Sequence, residues 1–318
     1  MDDVVFRVAS TAYTWEDVLD WGRRQEAWGD HVREVREGVA ALTLARRQGD
    51  ALDGDVSAAA AAFRRQHRLI SAEDTERWLA QRRLTVSTWK DHIRRSVARD
   101  RHPAGPGARR IEPDPVEDEP ARLWATGMCS GFYSTLAEAV AERAAAADAR
   151  AEAGAAGSGG DRWEVFDAAL AAFRQAAATE RAVADELVAR RLDWIDLDVE
   201  WVTFPAEAAA REALLCLRED GDFSAAFVPA QPAAVAPVRR RAHLCDFEPE
   251  LRPALFGAKA GDALGPARMA EGWRVTRVVS RTVPTEGDEE VHRLAAAAVG
   301  ARAVRREVEH RVRWHGRY

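Results

Sequence analysis

At 318 residues, 47% of them apolar, the chain is long enough for two domains and a sizeable core. Its formal net charge of −6 argues against general affinity for nucleic acids, and no run of about eighteen apolar residues indicates a membrane-spanning helix. No signal-peptide pattern follows Met1 and the cysteines show no CxxC spacing, so we expect a cytoplasmic protein with reduced thiols. The sequence indicates no cofactor and no nucleic-acid or membrane partner.

Residues 1–101 are predicted to form a helical region. Thr14, Ser71 and Thr85 are suitable N-caps, and the first two have an aspartate at the third position after them. The predicted helices are two within 14–49, one over 56–70 and one after each of Ser71 and Thr85. We expect the tryptophans of this region to pack in a helical core rather than to line a ligand site. They are Trp15, Trp21, Trp28, Trp78 and Trp89.

The middle of the chain is predicted to be a linker followed by more helix. Residues 102–120 are rich in proline and acidic residues, which is typical of a linker. Residues 121–195 return to a helical pattern that breaks at Gly131, and one long helix is predicted from Trp163 to Leu192.

Residues 196–285 contain two β-rich runs. One extends from Val199 to Phe204, and the other opens after Gly272. Apolar residues at helical spacing between them predict a helix over 206–219. The fold class is therefore α+β, with a mainly helical N-terminal region followed by a small β-sheet domain with helices.

The C-terminal segment, 286–318, is predicted to be a helix over Asp288–Ala303 and an arginine-rich tail. Apolar residues and a histidine alternate with charged residues in that tail, which predicts a strand able to extend a sheet edge. The alternating positions are Val308, His310, Val312 and Trp314.

Four residue pairs in 196–285 follow one another in a characteristic order: Leu255-Phe256, Gly261-Asp262, Gly265-Pro266 and Gly272-Trp273. This order resembles a parvulin-type peptidyl-prolyl isomerase domain. In that family a strand with a histidine is followed by a helix, a loop, a short helix ending in Phe, a Gly-Asp-type turn and a closing strand. The resemblance covers roughly a quarter of the chain and implies a parvulin-like domain over 196–285.

The segment from Phe63 to Trp89 looks like the helical region of parvulin-containing chaperones, in which short helices wrap a client peptide. The segment from Leu123 to Gly131 is similar to one in a bacterial group of PpiC-related proteins found in peptide-maturation systems. These resemblances imply a peptide or unfolded-protein client, and peptide-modifying enzymes as further partners.

Parvulins hold two histidines, a Cys or Asp, and a Ser or Thr beneath the substrate proline, where the pocket lowers a barrier of roughly 18–20 kcal/mol. Carried over, the resemblance places Glu200 and Arg274 at the histidine positions and Met269 at the Ser or Thr position. We expect Glu200 and Arg274 to form an ion pair across neighbouring strands. These substitutions favour a domain that has lost isomerase activity and has kept a peptide groove.

The same resemblance implies a set of peptide-binding residues: Trp201, Leu255, Phe256, Met269 and Trp273. Ordinary core packing explains Leu255 and Phe256 at least as well.

Other reactive or titratable residues are not expected to form a site. Cys129 has no visible His or acid partner, so a buried and inert thiol is expected. His243 and Cys245 lie near Asp246, but zinc needs further ligands, so no metal is expected. The remaining candidates, all expected to face solvent, are His92, His102 and the run Arg239–Arg241.

Three functions stay open. The first is a parvulin-like, catalytically degenerate chaperone or accessory protein that holds a precursor or unfolded peptide during maturation. The second is an active peptidyl-prolyl cis-trans isomerase, and the third is a non-catalytic structural assembly protein. The substituted site positions favour the first.

Overall fold

The computed structural model describes residues 4–103, 116–154, 160–220, 237–285 and 287–315. The chain divides into two compact units, of which unit 1 comprises Met1–Phe173 and Val304–Tyr318 and unit 2 comprises Arg174–Ala303. Most of the predicted linker lies outside the described residues. The fold class is α+β as predicted, with helices dominating the first part of the chain and a sheet with helices following.

Unit 1 combines helices with a small antiparallel sheet of order β2-β1-β7. The strands are β1 (Val4–Val8), β2 (Thr11–Thr14) and β7 (Val312–Trp314). The helices are α1 (Trp15–Gly22), α2 (Glu26–Gln48), α3 (Asp53–Gln66), α4 (Ala72–Gln81), α5 (Val86–Arg101), α6 (Glu119–Ser130), α7 (Phe132–Glu152) and α8 (Arg162–Ala177). The strands β1 and β2 were not predicted.

Three helix starts in unit 1 are set by their N-caps. Thr14, Ser71 and Thr85 each accept a hydrogen bond from the backbone N–H three residues on, and the side chain at that position accepts one in return. These reciprocal bonds satisfy backbone donors that a helix start leaves unpaired. The predicted starts are therefore confirmed, and so is the break at Gly131, which has a φ of 80° between α6 and α7.

Aromatic side chains form much of the core of unit 1. Trp15, Trp21, Trp78 and Trp89 are buried in one cluster, and Trp28 packs against it half-buried. The prediction of a helical core for these tryptophans is confirmed. Aromatic rings supply large apolar areas to such a core, so this set is explained by packing.

Unit 2 is built on a four-stranded antiparallel sheet of order β4-β3-β6-β5. The strands are β3 (Asp196–Phe204), β4 (Val238–His243), β5 (Ala263–Met269) and β6 (Gly272–Thr282). The helices are α9 (Glu180–Arg190), α10 (Glu207–Asp220), α11 (Arg252–Gly257) and the part of α12 (Glu289–Arg311) that precedes Val304. The two predicted strands and the helix between them are confirmed, whereas β4 was not predicted and β5 occupies part of the expected turn.

Apolar side chains of β3 pack on both sides of this sheet, because successive side chains of a strand point to opposite faces. Leu197 and Val199 pack beneath α11 and the residues before it, and this side is the α11 face. Val202 and Phe204 pack beneath α10, and this side is the α10 face. The strand β3 therefore separates two small apolar clusters.

Two predictions of helix extent are wrong. The helix predicted from Trp163 to Leu192 is interrupted between α8 and α9, because Thr179 caps α9 by accepting from the backbone N–H of Ala182. The tail after Ala303 continues α12 to Arg311 instead of forming a strand.

The longer α12 is stabilised within unit 1. Val304 and Val308, one helical turn apart, pack with Leu170, and Arg311 donates to Asp148 and Glu152 at 2.8 Å each. The last residues of the predicted strand do form β7, which extends a sheet edge by pairing with β1. Within the described residues, no helix combines the length and apolar character needed to cross a membrane.

Candidate functional site

The α11 face of unit 2 is only partly covered. Leu244, Phe247, Leu251 and Leu255 pack over Leu197 and Val199 near the beginning of β3. Towards the end of β3 the side chains of this face are half-buried or exposed. These residues are Val238, Trp201, Thr203, Ala267 and Met269, and together with the buried Arg274 they form the open end of the α11 face.

The strand register places the open end on adjacent strands. Trp201 pairs with Val238 of β4, and Thr203 pairs with Arg274 of β6. Ala267 of β5 pairs with Arg274 from the other side. Directly opposed side chains on one face lie about 4.5–5.5 Å apart at their Cβ atoms, so the open end is a contiguous surface.

Arg274 is the polar centre of this surface. Its side chain is 8% exposed and donates from Nη1 to Glu248 and from Nη2 to Glu271, at 2.9 Å in each bond. The guanidinium carbon also lies 5.0 Å from the ring centroid of Trp201. A guanidinium stacked on an indole and bound by two carboxylates is held in one orientation.

The carboxylates around Arg274 are held in their charged form. Desolvation raises the pKa of Glu248, but hydrogen bonds from its own backbone N–H and from Arg274 outweigh it, so the pKa lies below the usual range. The backbone N–H of Glu271 and then Arg274 lower the pKa of that carboxyl as well. Neither carboxylate is therefore suited to accept or donate protons near neutral pH.

The predicted ion pair between Glu200 and Arg274 is wrong. The two residues do lie on neighbouring strands, but Glu200 pairs with Arg277 in the ladder, and Arg274 pairs with Thr203. The two arginines are three positions apart along β6, an odd number, so their side chains point to opposite faces. Glu200 forms its ion pair with Arg277 on the α10 face, and Trp201 is the β3 side chain that contacts Arg274.

The residues predicted to line a peptide groove are not all brought together. Trp201 and Met269 lie half-buried at the open end, whereas Leu255 is 1% exposed within the core of the α11 face. Trp273 packs on the α10 face. Phe256 is 46% exposed, and its carbonyl accepts from Arg281 near the far end of β6.

Met269, which was placed at the Ser or Thr position, lies at the β5–β6 turn and pairs with Gly272. It contributes an apolar side chain to the open end. The open end therefore combines an indole, a thioether and a neutralised guanidinium.

The other reactive residues that the sequence analysis considered form no catalytic set among the described residues. Cys129 is buried as expected, and burial raises the pKa of its thiol to about 12. Among the described residues, no group of His, Cys, Asp and Glu could hold a metal ion. A buried thiol in apolar surroundings is a poor nucleophile, so Cys129 is explained by packing.

Both histidines that were expected to face solvent are half-buried instead. His92 lies 3.3 Å from the Thr126 hydroxyl, and burial lowers the pKa of its imidazole to about 4. His102 lies 2.6 Å from the carboxylate of Asp50. Each ring has a local structural partner.

The arginines of β4 are exposed as predicted, but they are not free. Arg239 donates from Nε to Asp198 at 2.9 Å, and Arg241 donates from Nε to Asp196 at 2.9 Å. The matching alternation of two aspartates in β3 and two arginines in β4 is a signal for this pairing that is already present in the sequence.

Comparisons with known proteins identify no relative of this chain. No family model matches the sequence, and no curated protein matches it. The parvulin-type resemblance therefore stays a prediction that rests on the residues of 196–285.

Proposed function

We propose that the chain is a parvulin-like peptide-binding accessory protein that holds a precursor or unfolded peptide, without strong isomerase activity. The observation that carries the proposal is Arg274, which is fixed between Glu248 and Glu271 over the ring of Trp201 at the open end. The surrounding surface is apolar and continuous across the strands of unit 2.

An extended segment is the ligand that suits this surface. The open end spans all four strands, and among the described residues its outer strands β4 and β5 are the edges of the sheet. An edge strand offers backbone groups to an added strand, and alternate side chains of that strand reach the adjoining face. Trp201 provides an aromatic platform, and the half-buried Met269 an adaptable one.

The ion pairs of Arg274 argue against strong catalysis. Both of its terminal nitrogens donate to carboxylates, and its Nε–H is sealed from solvent without an acceptor among the described residues. Stabilising a rotating X–Pro bond requires donors or dipoles aimed at the bond. Here the guanidinium would have to break an existing ion pair to provide one.

The protein would act in the cytoplasm beside the enzymes that modify its client. Cys129, Cys216 and Cys245 are free thiols, which suits a reducing compartment. The buried tryptophans of unit 1 are used in packing, so the client binds unit 2.

Titration of the full chain with peptides encoded beside its gene tests the proposal. We expect saturable binding together with little acceleration in a protease-coupled proline-peptide assay. The absence of saturable binding to every such peptide would contradict the proposal. Strong acceleration that is abolished by Arg274→Met would identify an active isomerase instead.

A further inference from the structure

The strand β4 lies at an edge of the sheet in unit 2 and carries the run Arg239–Arg241. In the described part of the chain it pairs with β3 alone. The register of that pairing is continuous over all six residues of β4, and the strand contains no proline. Its outer side therefore offers backbone N–H and C=O groups to an added strand.

The opposite edge of the sheet is less suited to strand addition. There β5 contains Pro266, which has no backbone N–H, and its register with β6 is irregular between Leu264 and Ala267. Prolines and irregular registers are features that keep edge strands from pairing. An added strand is therefore expected at β4.

Charges on the α10 face alternate from strand to strand and end on arginine at β4. Arg277 of β6, Glu200 of β3 and Arg239 of β4 stand directly opposite one another in the register. Two residues along β3, Asp198 stands opposite Arg241. Opposite charges on directly opposed residues stabilise strand pairing. A strand added beyond β4 continues the alternation when it brings carboxylates opposite the two arginines.

The two arginines at the edge retain donors for such carboxylates. The side chains of Arg239 and Arg241 are 61% and 72% exposed. Each binds one aspartate of β3 through Nε and Nη2, and its Nη1 has no acceptor among the described residues. Because a guanidinium has five N–H donors, each arginine can bind a second carboxylate from outside the sheet.

The surroundings make Arg239 the stronger contact of the two. Arg241 lines a cleft together with Asp288, Glu289 and Glu290, and these acidic residues repel a further carboxylate beside it. Arg239 does not line that cleft. The negative charge of a ligand is therefore favoured most at the Val238 end of β4.

A second copy of this chain does not suit the edge. Antiparallel pairing of β4 with β4 would bring arginine opposite arginine near the centre of the strand, and like charges in that position are destabilising. The run Arg239–Arg241 thus selects a partner strand of opposite charge.

We infer that β4 binds an acidic extended segment of the client peptide as a fifth strand of the sheet, a proposal that rests on the proposed function. Carboxylates of the segment lie opposite Arg239 and Arg241 on the α10 face. Its alternate side chains lie on the α11 face, next to Val238, which is 45% exposed and pairs with Trp201. Apolar residues at those positions extend the open end.

Fluorescence anisotropy with three synthetic peptides tests the inference on the full chain. The first peptide alternates glutamate and valine, so its carboxylates share one face of the strand. The second has glutamine in place of each glutamate, and the third is the first peptide with every backbone nitrogen methylated. We expect the glutamate peptide to bind about fivefold to tenfold more tightly than the glutamine peptide at low salt.

Salt and methylation separate the two parts of the interaction. The preference for glutamate should shrink in about 1 M salt, where the Debye length is about 3 Å. The methylated peptide has no backbone N–H to donate to β4, so it should bind at least about tenfold more weakly than the glutamate peptide.

Matched variants locate the preference. Arg239→Gln combined with Arg241→Gln should abolish it, whereas Arg239→Lys combined with Arg241→Lys keeps both charges and should retain most of it. The control Arg268→Gln removes an exposed arginine from β5, at the opposite edge, and should leave the preference unchanged. Circular dichroism checks that each variant is folded.

Equal affinity of the wild type for the glutamate and glutamine peptides would overturn the inference and leave the proposed function standing. A preference that survives the glutamine substitutions, or undiminished binding of the methylated peptide, would also overturn it. Displacement of the glutamate peptide by inorganic phosphate, but not by chloride at the same ionic strength, would assign the arginines to a phosphate ligand instead. If the synthetic peptides fail to bind although a peptide encoded beside the gene binds saturably, the inference fails alone. If no peptide binds, the proposed function fails with it.

Discussion

The register of β3 against β6 decides which residues form the site, and a pair of double-mutant cycles can test it. Glu200 and Arg277 form an ion pair with side chains that are 15% and 26% exposed. Exposed pairs contribute about 0.2–1 kcal/mol, and breaking a buried pair costs about 3–5 kcal/mol. For this intermediate burial we expect a coupling free energy of about 1–2 kcal/mol between Glu200→Gln and Arg277→Gln.

The assay is amide hydrogen exchange of β3 in the full chain, which reports the free energy of opening of that strand in both single variants and the double variant. The control cycle combines Glu200→Gln with Arg274→Gln. Because those side chains lie on opposite faces, their coupling should stay below about 0.5 kcal/mol. A larger coupling for the Arg274 cycle than for the Arg277 cycle would refute this register.

Three further predictions concern the stability and reactivity of single residues. Arg274→Met keeps most of the buried side-chain volume. In urea unfolding it should therefore lower the free energy of unfolding of unit 2 by about 1–2 kcal/mol less than Arg274→Ala does. Equal losses in the two variants would contradict a packing role for the aliphatic part of the Arg274 side chain. Because the pKa values of Glu248 and Glu271 are lowered in the folded state, their stabilisation is present above about pH 4.5 and is lost as the pH falls through the folded values. The difference in unfolding free energy between wild type and Arg274→Met should therefore narrow as the pH falls below about 4.5, and a constant difference would argue against these ion pairs. The Cys129 thiol, with a pKa raised to about 12, should resist alkylation at pH 8 in the native protein and react on unfolding; rapid native labelling would show that it is accessible.

Local signals in the sequence predicted much of the helical structure. The N-caps at Thr14, Ser71 and Thr85 act within one helical turn, so the residues that decide the helix start are neighbours in sequence. The same holds for the Gly131 break, since its positive φ belongs to a single residue. These features need no distant partner.

The misses involve contacts between distant segments. The strand β1 pairs with β7, nearly the whole chain away, and β1 and β2 are too short to be distinguished by pattern alone. The tail after Ala303 shows strand-like alternation, but Val304 and Val308 also fit helical spacing, and packing against Leu170 decides for the helix. Tertiary contacts override a weak local pattern there.

The candidate site was predicted in part. The sequence identified Trp201, Met269 and Arg274, which the structure brings to one surface. It assigned Glu200 to that surface wrongly, because the face of a strand residue depends on a register that no local pattern fixed. The partners of Arg274 could not be predicted, since Glu248 comes from the loop before α11 and Glu271 from the β5–β6 turn.

The central claim is that the open end of the α11 face holds a peptide, and one comparison tests it most directly. A peptide encoded beside the gene is titrated into wild type, Trp201→Ala and Trp273→Ala, with folding of each variant checked by circular dichroism. Loss of an aromatic anchor typically costs more than about 1.4 kcal/mol, so Trp201→Ala should weaken binding by about tenfold or more. Trp273→Ala, which alters the α10 face, should leave the affinity within about twofold. Undiminished binding by Trp201→Ala, or a selective loss in Trp273→Ala, would contradict the assignment of the site.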